Sequence, residues 1–554
     1  MTDLPATQHA ILFTGPGQVT HNRAKPVPVP GPTQLVLKVE ATGICFSDTK
    51  LLHAWTSHPR KGPVLGGVAP EVLAEISSYT PGDQPSTPGH ECCARIVAVG
   101  SDVRHHTLGE RVLVQADYRH LPTKGANAAF GYNFEGGLQE YVLLDERMIL
   151  DPVTGERFLI PVEEGPSGSA VALLEPWACV EKSYSTRERQ TLLAGGRLLV
   201  AVEAGAPLEG LEVLLAAAAP GSVERIEPAD AGSLATLAGL ADRRFDDIVY
   251  AGANAARIEA LQELLAPGGV LDIVTGGARI DRDVAIDVGR IHYDPVRLTG
   301  TTGSSAAEGY ARIPADGELR DGDSVAIVGA AGPMGFMHTV RAATIGRRDL
   351  RVTAIDIDDA RLAHLADVAA PVAAANGVEA TFQNSRVTPA AEGQASYVGV
   401  MVPAPALVAQ AVAMAAPGAR LNLFAGFPVG TRASLDLNAV IGKGLYLFGT
   451  SGSEISDMHA VLGRLEAGRL DTNVSLDAVC GMDGVEAALA AVEARSSGGK
   501  IVVYPVLHDL GLVRLSELPE RFPAVAARLR DGRWNAEAEA ALLAEAGRAA
   551  EATR

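Results

Sequence analysis

SVAIVGAAGPMG at 324–335 and LLVAVEAGAPLEG at 198–210 read as one local unit written twice. Each is an apolar, strand-forming run that ends in a turn of small residues with one proline, followed by a helix-compatible stretch. Short apolar runs alternating with amphipathic stretches of about ten or more residues make the βαβ pattern of a doubly wound parallel sheet. Outward from these turns the likeness continues. DDIVYAGANAARIEALQELLAPGGVLDIVTGG at 246–277 is matched by ASYVGVMVPAPALVAQAVAMAAPGARLNLFAGF at 395–427. DVGRIHYDPVRLTGTTGSS at 287–305 is matched by NAVIGKGLYLFGTSGSE at 438–454. Both copies run a helix into APGG or APGA, then a buried strand, then a strand closing in GTTGSS or GTSGSE. Agreement in order and in two punctuation motifs predicts tandem units rather than one sheet of look-alike strands. The first copy is shorter between its second and fourth strands, so it is expected to lack a strand.

Before residue 190 the pattern differs. Short strands such as 34–40, 94–99 and 111–114 are broken by Gly and Pro, which reads as a β-rich domain. After 498–506, another buried strand, residues 521–554 read as two helices, with Asn535 a helix cap. This tail is assigned packing or an interface and no chemistry. The whole chain has 554 residues, 47% hydrophobic and 20% charged, which excludes a disordered or collagen-like polymer. With 47 Lys+Arg against 66 Asp+Glu the net charge is −19, which repels nucleic-acid backbones. Five scattered cysteines make no disulfide framework. There is no basic and apolar leader and no long uncharged apolar run, so a soluble cytoplasmic protein without a membrane span is expected.

Three segments of the β-rich domain carry metal-ligating residue types: Gly43-Ile44-Cys45-Phe46-Ser47-Asp48, Pro88-Gly89-His90-Glu91 and Leu174-Glu175-Pro176. A thiolate, an imidazole and two carboxylates suit a catalytic zinc, which takes about three protein ligands and keeps a position open. Singly, each of these residues is as well explained as a packing or structural side chain. In this order and spacing, with Gly109-Glu110-Arg111-Val112 and Gly136-Gly137-Leu138-Gln139-Glu140-Tyr141, they resemble the zinc-dependent medium-chain dehydrogenase/reductase family. The Glu-Pro element resembles its polyol, threonine and sugar dehydrogenases.

That resemblance implies a GroES-like catalytic zinc domain at 1–190, a degenerate Rossmann-like unit at 191–305, an NAD-binding Rossmann domain at 306–455, and at 456–554 a return to the catalytic domain with a helical tail. It implies Cys45 and His90 as zinc ligands, Glu91 as a ligand or exchangeable neighbour, and Glu175 bound directly or through water. Ser47 would pass a proton outward. Relatives often carry a second, structural zinc on four cysteines; 115–135 has none, so one catalytic zinc is expected. Lys50 stands where relatives often have a relay histidine, and would relay protons, contact an anionic substrate group, or sit in solvent. Cys92 and Cys93 read as packing residues, and His105 and His106 as solvated.

In the second α/β copy, Gly329, Gly332, Pro333, Met334 and Gly335 form a glycine-rich turn able to take a pyrophosphate on a helix N-terminus. Asp356, 21 residues beyond Gly335, would bind ribose hydroxyls and repel a 2′-phosphate, favouring NAD over NADP. Arg361 would stack near the adenine or face solvent. Ala330 departs from the family's first glycine. When the copies are aligned on Pro207 and Pro333, Glu203, Ala206 and Glu209 face Gly329, Gly332 and Gly335. Two carboxylates there predict no dinucleotide in the first copy. Its expected role is to cover a sheet edge that relatives often pair across a dimer, leaving a monomeric internal pseudo-dimer or a homo-oligomer.

The expected reaction is hydride transfer between NAD(H) and a secondary alcohol or ketone: a polyol, sugar or ketose phosphate. GPMG, DDARL, FAGF, GTSGSEISDM and GGKIVVYP resemble the ketose-phosphate and polyol branch, exemplified by L-sorbose 1-phosphate reductases. The alternatives are a threonine-type or simple secondary-alcohol dehydrogenase, and a non-catalytic sensor or scaffold.

Overall fold

The computed structural model describes residues 4–226 and 237–552, with side chains to 545. The chain divides into two compact units: Met1–Glu181 with Gly452–Arg554, and Lys182–Ser451.

The first unit is built on an eight-stranded sheet whose central strand is Gln34–Ile44. That strand is flanked by Glu91–Val99 and Lys500–Val503, with Tyr141–Asp145 also pairing to it. The register sets Gly43 opposite Glu91 and Ile44 opposite Ile501. Cys45, His90, Glu91 and Lys500 therefore arrive together at one end of three adjacent strands.

The tail braces this unit. Asn535 Oδ1 caps the helix Ala536–Ala552 by accepting from Ala538 N at 3.0 Å. From that helix the buried Glu539 accepts from Gly168 N at 2.6 Å and from Ser169 N at 2.9 Å. It also accepts from Tyr504 Oη, which in turn accepts from Trp534. The segment it holds, Gly168–Ala172, leads at once into Leu174–Ser185, which carries Glu175. Residues 553–554 of the expected tail lie outside the described residues.

The second unit joins both α/β copies in one sheet of eleven described strands. From one edge the first copy contributes Ser222–Ile226, Arg197–Val202, Phe245–Ala251, Leu265–Val274 and Arg297–Thr301. The second continues with Tyr446–Phe448, Ala415–Leu423, Ala395–Val400, Ser324–Val328, Arg351–Asp356 and Glu379–Asn384. Within each copy the pairing is parallel; the copies meet in an antiparallel step with Leu298 opposite Leu447. A second antiparallel ribbon joins them, Val284–Asp287 on Arg432–Leu435.

Read outward from the join, the two copies match strand for strand. Asp287 and Asp436 each cap the next helix, Val288–Tyr293 and Leu437–Gly442. The APGG and APGA glycines repeat one bond: Gly268 N donates to Asp294 O at 2.6 Å and Gly418 N to Lys443 O at 2.7 Å. Glu379–Asn384 has no counterpart among the described residues between Ile226 and Phe245; 227–236 lie outside them. One apolar cluster, from Leu199 to Leu447, draws on both copies, so the join is also a common core.

One buried group strains this core. Asp272, on the strand beside the join, is fully buried and neither carboxyl oxygen has a hydrogen-bond partner among the described residues. Gly309 leaves it room, since a Cβ there would fall 1.9 Å from Asp272 Oδ1. Burial, opposed only by the charge of Arg312, holds the Asp272 carboxyl well above the usual range. A raised carboxyl binds its proton more tightly folded than unfolded, so its contribution to stability falls as pH rises above about 4. The matching position of the second copy is Asn422. Asp272→Asn is therefore expected to stabilise the fold by about 1–3 kcal/mol near neutral pH, with the gain shrinking toward pH ~4. Denaturant unfolding across that range checks it; a gain that does not change with pH would refute it.

Candidate active site

Cys45 ends the central strand and caps the helix Phe46–Ala54. His90 and Glu91 open the neighbouring strand. One ligand atom from each of Cys45, His90 and Glu91 can be chosen so that all lie within 4.8 Å of one another. Gly43 makes this possible, because a Cβ there would sit 2.0 Å from Glu91 Oε2. That oxygen is buried and has no hydrogen-bond partner among the described residues. The other, Oε1, accepts from Lys500 Nζ at 2.5 Å. Burial alone would discharge Lys500, but Glu91, then Cys45, hold it charged.

Asp48 fixes the rest. Its Oδ2 accepts from Cys45 N at 2.8 Å, and its Oδ1 lies 3.3 Å from His90 Nδ1. The imidazole thus presents Nε2, which is 3.2 Å from Ser47 Oγ. Burial opposes a charged His90, but Tyr132, Asp48 and Cys45 outweigh it and hold its pKa well above the ordinary value. A thiol, an imidazole and a carboxylate with an idle oxygen, oriented by a second tier of partners, form a donor set that fits zinc.

Glu175 stands outside this compact set. It is buried in the first turn of Leu174–Ser185 and accepts from Cys179 Sγ at 3.5 Å. Burial, then the charge of Glu91, push its carboxyl up, while His90 and Lys500 pull it down.

Beside His90 lies a patch that sequence reading missed. The Tyr132 ring is 5.4 Å from His90 and 5.2 Å from His58. The Arg60 guanidinium sits 5.6 Å from the Tyr132 centroid, with one nitrogen on Asp117 at 3.2 Å. Burial, then Arg60, Lys50 and His90, push His58 down to about 4. Lys50 is exposed, with Nζ 5.6 Å from the Phe46 centroid. Asp48 and Lys500 lay within quoted motifs but had no role assigned; nothing in the sequence marks His58, Arg60 or Tyr132. His106 corrects its reading as solvated: it is buried, 2.8 Å from Glu146. Cys92 and Cys93 are buried, as packing residues would be.

In the second unit, Ser324–Val328 turns through Gly329 into the helix Pro333–Thr344. Gly329 has φ +80°, so Gly329, rather than Ala330, occupies the left-handed position of the turn. A Cβ on Gly335 would meet Gly329 O at 2.2 Å, so the helix starts against the turn only with glycine there. A Cβ on Gly332 would find nothing nearer than 3.6 Å, which leaves the helix N-terminus open above it. Asp356 ends the next strand and accepts from Ala331 N at 2.9 Å; Arg361 braces the same turn by donating to Ala331 O at 2.9 Å. The turn has the form that takes a pyrophosphate.

The first copy departs from its alignment on Pro207. Its helix begins only at Leu211, capped by Gly210, so Pro207 does not open it as Pro333 opens its own. Glu203 does follow the strand as Gly329 does, and there it pairs with Arg257 and accepts from Tyr250 Oη. Pro207 packs on Gly276, where a Cβ would lie 2.5 Å from its Cγ. Glu209 is exposed.

Residues 31–152 match the alcohol dehydrogenase GroES-like domain. Uncharacterized protein YggP of Escherichia coli is 27% identical over 249 residues, 41% of this chain and 58% of its own. L-galactonate-5-dehydrogenase of the same organism is 24% identical over 236 residues, 40% of this chain and 59% of its own. The chain thus spans under two thirds of the curated relatives it matches. Among solved structures, 2R,3R-butanediol dehydrogenase of Bacillus subtilis aligns with TM-score 0.51 at 16% identity, over 90% of this chain and all of that one. That likeness is one of fold.

The Glu91–Lys500 pair yields a stability test. Lys500→Met leaves a buried carboxylate unpaired and is expected to destabilise by about 3–5 kcal/mol, much of it recovered by adding Glu91→Leu. Chemical denaturation of the two single variants and the double checks this, and additive losses would contradict it.

Proposed function

We propose, for a chain whose residues 31–152 match the alcohol dehydrogenase GroES-like domain and whose fold is like that of a butanediol dehydrogenase, that it is a medium-chain, zinc-dependent, NAD-linked dehydrogenase of polyols or sugars and their phosphates. The observation that carries this reading is the convergence of Cys45, His90 and Glu91 with one Glu91 oxygen idle. Cys45, His90 and Glu91 would hold the metal, with Glu175 a further ligand through water. Gly329, Gly332, Pro333, Met334 and Gly335 would cradle the pyrophosphate, and Asp356 the adenosine ribose. Asp356 also argues for NAD over NADP, since its carboxylate repels a 2′-phosphate. When bound, zinc supplies Lewis acidity to the alcohol oxygen and nicotinamide supplies or accepts the hydride.

The chain's own residues do the rest. Asp48 and Lys500 fix the ligand side chains before substrate arrives. Ser47, half-buried beside His90, takes the hydroxyl proton outward. His58, pushed down to about 4 by burial and then by Arg60, Lys50 and His90, is a neutral imidazole at neutral pH and adds no charge beside the site.

Arg60 supports an anionic substrate class. Among the described residues its guanidinium has one hydrogen-bond partner, Asp117, which leaves nitrogens to offer to a ligand. With Lys50 it makes this margin of the site cationic in an acidic chain, which favours a phosphate or carboxylate on the substrate. L-galactonate, for which one relative is named, is such an anion.

The test is NADH oxidation by zinc-replete protein on matched ketoses and ketose phosphates. Turnover on the phosphorylated member is expected, and His90→Ala should remove both bound zinc and activity. Arg60→Ala should raise KM for the anionic substrate about 10- to 100-fold, the loss of one charged hydrogen bond, and leave the neutral member unchanged. Equal loss on both members would remove Arg60 from substrate recognition. A metal-free native protein would overturn the reading.

A further inference from the structure

Beside the join of the two copies lies a cavity of about 510 Å³. Arg312, Arg320, Arg420 and Lys443 line it with Gln190 and Tyr446, and no Asp or Glu does. Three of the cations donate to backbone carbonyls, Arg420 among them, to Glu318 O. Arg312 bridges the copies, donating to Gly300 O at 3.1 Å and Ile441 O at 3.0 Å. Lys443 donates to Ala415 O at 3.0 Å. These bonds orient the charges without neutralising them. Arg420 has a carboxylate partner, Asp323 at 2.6 Å. Among the described residues, Arg312, Arg320 and Lys443 have none within ion-pair distance. Burial holds the carboxyl of Asp272, which feels the charge of Arg312, well above its usual range.

In a chain of net charge −19, most cations have acidic company. Three without it around one concavity focus a positive potential there. Guanidinium forks match phosphate and carboxylate oxygens alike, and an ammonium adds a point charge. No chemistry of the proposed reaction uses these residues. We propose that this cavity binds a multiply charged anion of metabolite size, a phosphate ester or a polycarboxylate, gripped by Arg312, Arg320 and Lys443.

The experiment is calorimetric titration of the full chain at physiological salt, with inorganic pyrophosphate in one arm and citrate in the other. Saturating NADH is present so that the turn at Gly329 does not compete. Binding of one equivalent in either arm is expected, and the arm that binds tells phosphate from carboxylate recognition. Arg320 is exposed and its side chain makes no described hydrogen bond, so Arg320→Ala tests the site without disturbing the fold. It and Lys443→Gln should each weaken binding at least tenfold. No binding in either arm, binding equal in wild type and both variants, or binding abolished by NADH would each overturn the proposal.

Discussion

A strand at the end of a sheet leaves a row of unpaired N–H and C=O groups, and a chain must cover it or pair it. In the second unit that constraint is met within one chain by the antiparallel step at Leu298 and Leu447. The ribbon Val284–Asp287 on Arg432–Leu435 and the apolar cluster common to both copies extend the same join. The first copy thus serves as the edge partner of the second. At its turn Glu203 is satisfied by Arg257 and Tyr250, and Pro207 packs on Gly276. The second copy keeps the glycines and the acid that a dinucleotide needs. One pairing thus joins the duplicated units and covers an edge of each.

The first unit depends on register in the same way. Because side chains alternate faces along a strand, a slip of one residue would turn Glu91 away from Cys45. Gly43 opposite Glu91 permits the close approach, and Lys500 two strands away from Glu91 supplies the countercharge. The set is thus fixed by backbone pairing and by a buried charge pair.

Much of this was legible in the residues. The repeat appeared as matched punctuation, and the structure shows why it did: the APGG and APGA glycines make the same backbone bond in each copy. Cys45, His90 and Glu91 could be picked out because they sit in short motifs whose spacing survives. The misreadings have physical causes. Proline marks a helix start only when it follows the cap directly, and the first copy inserts residues before Gly210, so the alignment on Pro207 slipped. His106 looked solvated beside its neighbour, but its partner Glu146 is distant in sequence. Lys500, Tyr132, His58 and Arg60 reach the site from three separate segments, and no local pattern announces a contact made by tertiary pairing.

The most direct test of this account counts dinucleotide sites. Equilibrium titration of NADH should saturate at one equivalent per chain, and Gly335→Ala, whose Cβ would strike Gly329 O, should abolish it. Two equivalents per chain, or one that survives Gly335→Ala, would contradict the division of labour between the two copies.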